Sequence, residues 1–139
     1  MIPRVVFDTN VYISAFLYGG KPKQVLELAL AGRVQLLSSI PLKSELQRVL
    51  QDKFDLAPHD LAANTEALWK HAEWISPRRR LSLCRDESDN RVLECAVEGR
   101  ADVVVTGDRD LLDLPAIEGL AILTPAAFLS RWSAEEPLA

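Results

Sequence analysis

Twice in this chain a carboxylate stands at the end of a short apolar run. Val5-Val6-Phe7 leads directly into Asp8-Thr9-Asn10, and Val103-Val104-Val105 leads into Thr106-Gly107-Asp108-Arg109-Asp110. A β-branched run bounded by polar residues has the pattern of a strand buried on both faces of a parallel sheet. In such sheets ligands bind beyond the carboxyl ends of the strands, where strand order reverses. Acids at two such ends can share one crevice, and a crevice of acids needs a cation. Hard carboxylate oxygens suit Mg²⁺ or Mn²⁺ better than zinc.

The remaining sequence alternates strands and helices, which is the α/β signature. Strands are predicted at Arg4–Phe7, Val34–Leu37, Trp74–Ser76, Asp102–Thr106 and Ala121–Leu123. A short helix is expected from about Val11 until Gly19-Gly20 breaks it. Pro22 suits the first turn of the next helix, which Gly32 stops. Ser39 can cap a helix over Pro41–Phe54, and Ala57-Pro58 opens another to Ala72. A polar segment from Pro77 to Ser88 precedes a helix over Asp89–Glu98, stopped by Gly99. A helical turn covers Asp108–Leu112, and Thr124-Pro125 opens a last helix to Trp132.

A chain of 139 residues is expected to form one domain, residues 1–132, with 133–139 as a frayed tail. No apolar run reaches the ~18 residues of a membrane span, and the first strand begins at once without a signal peptide. A cytoplasmic protein with no membrane association is expected. Cys84 and Cys95 form no Cys-x-x-Cys pair and are read as reduced and structural. A net charge of −4 argues against a generic nucleic-acid coat protein, but not against an enzyme whose acids bind metal beside a local basic patch.

Each acid has a plain reading beside the functional one. Asp8 can be a helix N-cap, although Thr9 or Asn10 can serve instead. Glu45 sits on the flank of the stripe Leu42, Leu46, Val49 and Leu50, where an i,i+3 pair with Arg48 would occupy it. Asp89 shares its helix face with Val92, Leu93 and Ala96, whereas Arg91, Glu94 and Glu98 point the other way. A carboxylate on a packing face is costly unless paired or on a metal, though a first-turn acid also suits the helix dipole. Asp86, one turn earlier, is the second choice there. Asp108 and Asp110 lie in good turn chemistry, and the Thr106 hydroxyl can orient a ligand or a water. His59 and His71 lack a metal-type residue at i+4 and are not assigned catalytic work. There is no Gly-rich phosphate loop and no Gly-x-Ser-x-Gly elbow.

Four segments resemble, in order and spacing, the PIN-domain ribonucleases, and more closely the VapC-like toxins of type II toxin–antitoxin systems. They are Val5–Val11, Glu45 within Leu42–Leu50, Cys84–Asn90 and Val104–Leu111. The resemblance implies a doubly wound parallel five-stranded sheet of order 3-2-1-4-5 flanked by helices. It maps the family's four acids onto Asp8, Glu45, Asp89 and Asp108, with Asp110 an alternative for the fourth. Thr9, Asn10 and Thr106 match its supporting polar positions. It further implies RNA as substrate, Mg²⁺ or Mn²⁺ as cofactor, a homodimer and a cognate antitoxin protein.

The expected chemistry is phosphodiester hydrolysis by a metal-activated water. Arg78-Arg79-Arg80 and Arg85 can guide an RNA backbone or simply form a solvated loop. Trp69, Trp74 and Trp132 are read as packing residues before stacking ones. Two other classes compete. A haloacid-dehalogenase-type phosphatase would want a second Asp where Asn10 stands and a later Lys, and no Lys follows Lys70. A non-catalytic RNA- or protein-binding module would not need all four acids.

Overall fold

In the computed structural model, which describes residues 2–55, 58–117 and 119–132, with the side chains of the fourth helix from Thr65 onward, strands and helices alternate throughout. The order is β1 (Arg4–Phe7), α1 (Thr9–Tyr18), α2 (Gly20–Leu30), β2 (Gln35–Ser38), α3 (Ile40–Phe54), α4 (Pro58–His71), β3 (Glu73–Trp74), α5 (Glu87–Glu98), β4 (Val103–Val105), α6 (Arg109–Leu112), β5 (Ala121–Leu123) and α7 (Pro125–Arg131). The five strands form one parallel sheet in the order β3-β2-β1-β4-β5. The order in which strands are added switches sides at β1, with β2 on one flank and β4 on the other, so the crevice of a doubly wound sheet falls at the carboxyl ends of β1 and β4.

Alternation along the strands builds two cores. Val5, Phe7, Leu36, Val103 and Val105 face a layer containing α1, α2 and Phe128 of α7. Val6, Leu37 and Val104 face the opposite layer, where α5 contributes Val92, Leu93, Cys95 and Ala96. α3 serves both, giving Leu46 and Leu50 to the first core and Leu42 to the second. Cys84 and Cys95 are both free thiols.

Several boundaries differ from those expected. α1 begins at Thr9 rather than Val11, because the Asp8 carbonyl already accepts the Val11 N–H at 2.9 Å. α5 begins at Glu87 rather than Asp89, since Asp86 supplies the N-cap and accepts the Ser88 N–H at 2.8 Å. β3 lies at Glu73–Trp74, not Trp74–Ser76, where Leu37 and Ser38 of β2 supply its partners. Gly19 and Gly20 have φ of 70° and 64°, which is how the chain turns between α1 and α2 without a loop. The tail 133–139, the α4 start at Ala57 and the His59 side chain lie outside the described residues. Among the described residues no helix is long and apolar enough to cross a membrane.

Candidate metal centre

The β1–β4 pairing sets Phe7 beside Val105, so Asp8 and Thr106 leave the sheet as neighbours. Both strands continue their ladders to this point: Asp8 N–H donates to Val105 O at 3.0 Å, and Thr106 N–H donates to Leu123 O at 2.9 Å. Asp8 occupies the N-cap position of α1, yet its side chain makes no capping bond. Instead Asp8 Oδ2 accepts the hydroxyl of Thr106 at 2.8 Å. Thr106 Oγ1 in turn accepts the backbone N–H of Asp108 at 2.9 Å. Thr106 is fully buried, so this chain of bonds aligns both acids from below.

α5 brings the third acid. With Asp86 as N-cap, Asp89 lies in the first turn of α5 on its buried side and is 3% exposed. One ligand oxygen from each of Asp8, Asp89 and Asp108 lies within 4.8 Å of the others. Asp89 Oδ2 is buried with no hydrogen-bond partner. Burial, the charge and hydrogen bond of Asp108, and the charges of Asp8 and Asp86 push the Asp89 carboxyl up to about 7. Burial also raises the Asp8 carboxyl, opposed by the Thr106 hydrogen bond and reinforced by the charge of Asp108. Three crowded carboxylates, one oxygen of them unsatisfied, are the surroundings a hard divalent cation relieves.

The other acids have separate engagements. Glu45 pairs with Arg48, as its i,i+3 spacing suggested, and accepts the Ser88 hydroxyl at 3.2 Å. It is therefore tied to the first turn of α5, next to Asp89 but outside the close trio. Asp86 is exposed and spent on its cap. Asp110 is exposed, and its N–H donates to Asp108 Oδ1 at 2.9 Å, so the Gly-Asp-Arg-Asp turn and the acid cluster coexist. Thr9 is buried in the first turn of α1, and Asn10 beside it is exposed.

The basic residues lie elsewhere. Arg78, Arg79, Arg80 and Arg85 are all exposed. The loop carrying the first three is pinned along α5, with Arg78 N–H on Glu98 Oε1 at 3.1 Å and Leu81 N–H on Glu94 Oε2 at 2.8 Å. At 1.5 Å per residue these anchors are roughly 8 and 14 Å along α5 from Asp89. Glu94 lies on the outward face of α5 by its helical angle, yet it is only 6% exposed. The loop covers it, and Arg91 pairs with it at 2.8 Å.

Asn90 is a site residue that the sequence pattern does not mark. It is fully buried; its side chain accepts the Cys84 N–H at 2.8 Å and donates to the Cys84 carbonyl at 2.9 Å. This two-point clamp holds the segment that delivers Asp86 and the start of α5. Its only trace in the sequence is an amide beside an acid on the packing side of a helix.

A doubly wound parallel α/β domain with three carboxylates gathered at the switch point of its sheet defines a class of fold whose acids could hold a divalent cation. This chain belongs to the PIN domain family, whose model matches residues 4–110. It is 30% identical over 121 residues, 80% of this chain and 74% of the relative, to the uncharacterized protein MJ1680 of Methanocaldococcus jannaschii. Solved structures share the fold. VapBC2 from Rickettsia felis, solved bound to a DNA fragment from its promoter, aligns with a TM-score of 0.61 at 16% identity, over 86% of this chain and 96% of that one. PAE2754 from Pyrobaculum aerophilum aligns with a TM-score of 0.56 at 19% identity, over 96% and 91%. The RRP44 PIN domain of T. brucei aligns with a TM-score of 0.53 at 15% identity, over 94% and 81%.

Proposed function

We propose that the protein is a Mg²⁺- or Mn²⁺-dependent endoribonuclease, and that it is the toxin of a type II toxin–antitoxin pair. The observation that carries the nuclease reading is the trio Asp8, Asp89 and Asp108, with an unpartnered buried oxygen on Asp89. PIN family membership supplies the class of reaction, and the fold shared with VapBC2 supports the toxin assignment.

In this reading Asp8, Asp89 and Asp108 hold the cation, and Glu45 completes the set from across the first turn of α5. The bound ion would supply a Lewis acid for the phosphate and a water made nucleophilic at neutral pH. Thr106 fixes the rotamer of Asp8, which would otherwise be free to cap α1. Asn90 fixes the backbone of Cys84, and with it the approach to the Asp86 cap and the first turn of α5 that carries Asp89. Thr9 and Asn10 support the mouth, and Arg85, with Arg78, Arg79 and Arg80 farther along α5, draws the RNA backbone in by charge. The protein acts in the cytoplasm as a homodimer and is silenced by a cognate antitoxin.

The test is cleavage of single-stranded RNA with Mn²⁺, with Mg²⁺ and with excess EDTA, beside hydrolysis of p-nitrophenyl phosphate. Divalent-dependent RNA cleavage is expected. Hydrolysis of the small ester alone would favour a phosphatase, and binding of RNA without cleavage a non-catalytic module. Growth arrest on expression tests the toxin role, and light scattering tests the dimer.

A further inference from the structure

A cleft of about 530 Å³ opens between the start of α3, the end of α4 and the edge strand β3. Two indoles meet in it, Trp69 and Trp74, with ring centroids 5.4 Å apart. Trp69 packs inward against Tyr12, as a core residue should. Trp74 does not: it is 40% exposed, and beside it Ile40 is 63% exposed. The rim is basic. Lys43 Nζ stands 5.7 Å over the Trp74 ring, and Lys70 lines the same cleft. Lys70 also meets Glu66 at 3.5 Å, a solvent-exposed i,i+4 contact of small worth that an anion can displace.

The cleft opens at the same carboxyl end of the strands as the acids. Val6 pairs with Leu37, Leu37 with Glu73, and Ser38 with Trp74. Phe7, the next residue of β1, is therefore level with Trp74 and two strand spacings away, about 10 Å. Asp8 follows Phe7. α3 stands between the two sites, with Lys43 and Glu45 about 160° apart around its axis. A short oligonucleotide crossing the end of α3 would reach both.

We propose that this cleft is a base-stacking subsite for single-stranded RNA. It rests on the nuclease reading above and adds where the substrate lies. A nucleobase takes the Trp74 face now capped by Lys43, while Lys43 and Lys70 turn to the flanking phosphates. Stacking on an aromatic face beside ammonium groups is how single strands are held without base readout. An apolar protein segment would bury the same indole but desolvate Lys43 without a counter-charge, since Glu66 of the cleft already stands beside Lys70. A nucleotide supplies the ring and the anion together.

The experiment measures anisotropy of a labelled single-stranded oligouridylate, and of the matching duplex RNA, in an Asp8→Asn background that binds without cutting. Trp74→Ala and Lys43→Ala should each weaken single-strand affinity about tenfold, and Trp74→Phe should retain most of it. The Mn²⁺-induced Tm shift of Trp74→Ala in the otherwise native chain should match the parent, which shows fold and acids intact. Should Trp74→Ala fail to fold, Trp74→Leu keeps the bulk without the π-face and must show the same loss. Unchanged affinity in the folded variants overturns the subsite, as does equal loss on duplex. A changed oligomeric mass with unchanged RNA affinity would make the cleft a protein interface and overturn it too. No RNA binding by the background variant and no cleavage by the parent would overturn the nuclease reading as well.

Discussion

The hydroxyl of Thr106 reaches across the β1–β4 pair to Asp8 Oδ2 at 2.8 Å while accepting the Asp108 N–H at 2.9 Å. One buried oxygen thus orients two of the three clustered acids. Thr106→Val keeps the shape of the side chain and removes the donor. It should weaken Mn²⁺ affinity by about 10–100-fold, the usual cost of losing a partner that orients a ligand. It should also destabilise the fold by about 1–3 kcal/mol, because Asp8 Oδ2 is left buried without its donor. Thr106→Ser should restore both. Isothermal titration with Mn²⁺ and thermal melts read the two effects separately.

Asp8→Asn preserves volume and removes one charge from the trio. RNA cleavage should fall to background while the melting transition stays cooperative. Cleavage at the parental rate, or parental cleavage undiminished by excess EDTA, would sink the metal mechanism.

Stability should depend on pH through Asp89. Its carboxyl is pushed up to about 7 from 3.8, so the folded state binds the proton more tightly than the unfolded chain. Protonation therefore stabilises the fold. That contribution is fully present below the unfolded value and is lost as pH rises through about 7, at a cost on the order of 2–4 kcal/mol. Asp8 is shifted in the same direction. In EDTA, Tm should rise as pH is lowered from 8 to 5. Saturating Mn²⁺ should raise Tm at the upper end and flatten the dependence. Asp89→Asn should melt higher than the parent in EDTA at pH 8, yet lose the Mn²⁺ response. A parent whose Tm falls on acidification over this window would contradict the crowding of these acids.

Glu45 is held by Arg48 and Ser88 rather than within the close trio. Glu45→Gln should therefore keep a measurable but smaller Mn²⁺-induced Tm shift, whereas Asp89→Asn should show none. Equal responses in the two variants would place Glu45 on the same footing as Asp89.

Gly99 ends α5 at a close approach. A Cβ there would lie 3.0 Å from Cys95 O, Ile75 Cγ1 and Leu37 Cδ1 alike. The overpacking penalty of about 1–3 kcal/mol exceeds the roughly 0.4–1 kcal/mol that alanine gains from a stiffer unfolded chain. Gly99→Ala should thus lower the urea midpoint, with RNA cleavage at 25 °C intact because the site lies at the other end of α5.

Local pattern carries as far as a residue's own element. The runs Val5–Phe7 and Val103–Val105 have no polar alternation, the pattern of strands covered on both faces, and all six residues are buried. The face shared by Asp89 with Val92, Leu93 and Ala96 places that acid on the packing side of α5, and it is buried there. Periodicity says nothing of what lies over a face. Glu94 reads as solvent-facing by its angle on α5, but the loop through Leu81 covers it, and its charge is met by Arg91. Asp8 and Asp86 both stand at helix N-caps, yet only Asp86 caps through its side chain, because Thr106 from a strand nearly a hundred residues away takes the Asp8 oxygen. Trp74 resembles a core residue in sequence and stays half-exposed because β3 is an edge strand, with no strand paired outside it among the described residues. Which carboxylates converge, and which are occupied with caps and ion pairs, is decided by contacts between distant segments, and those exist only once the sheet has closed its order.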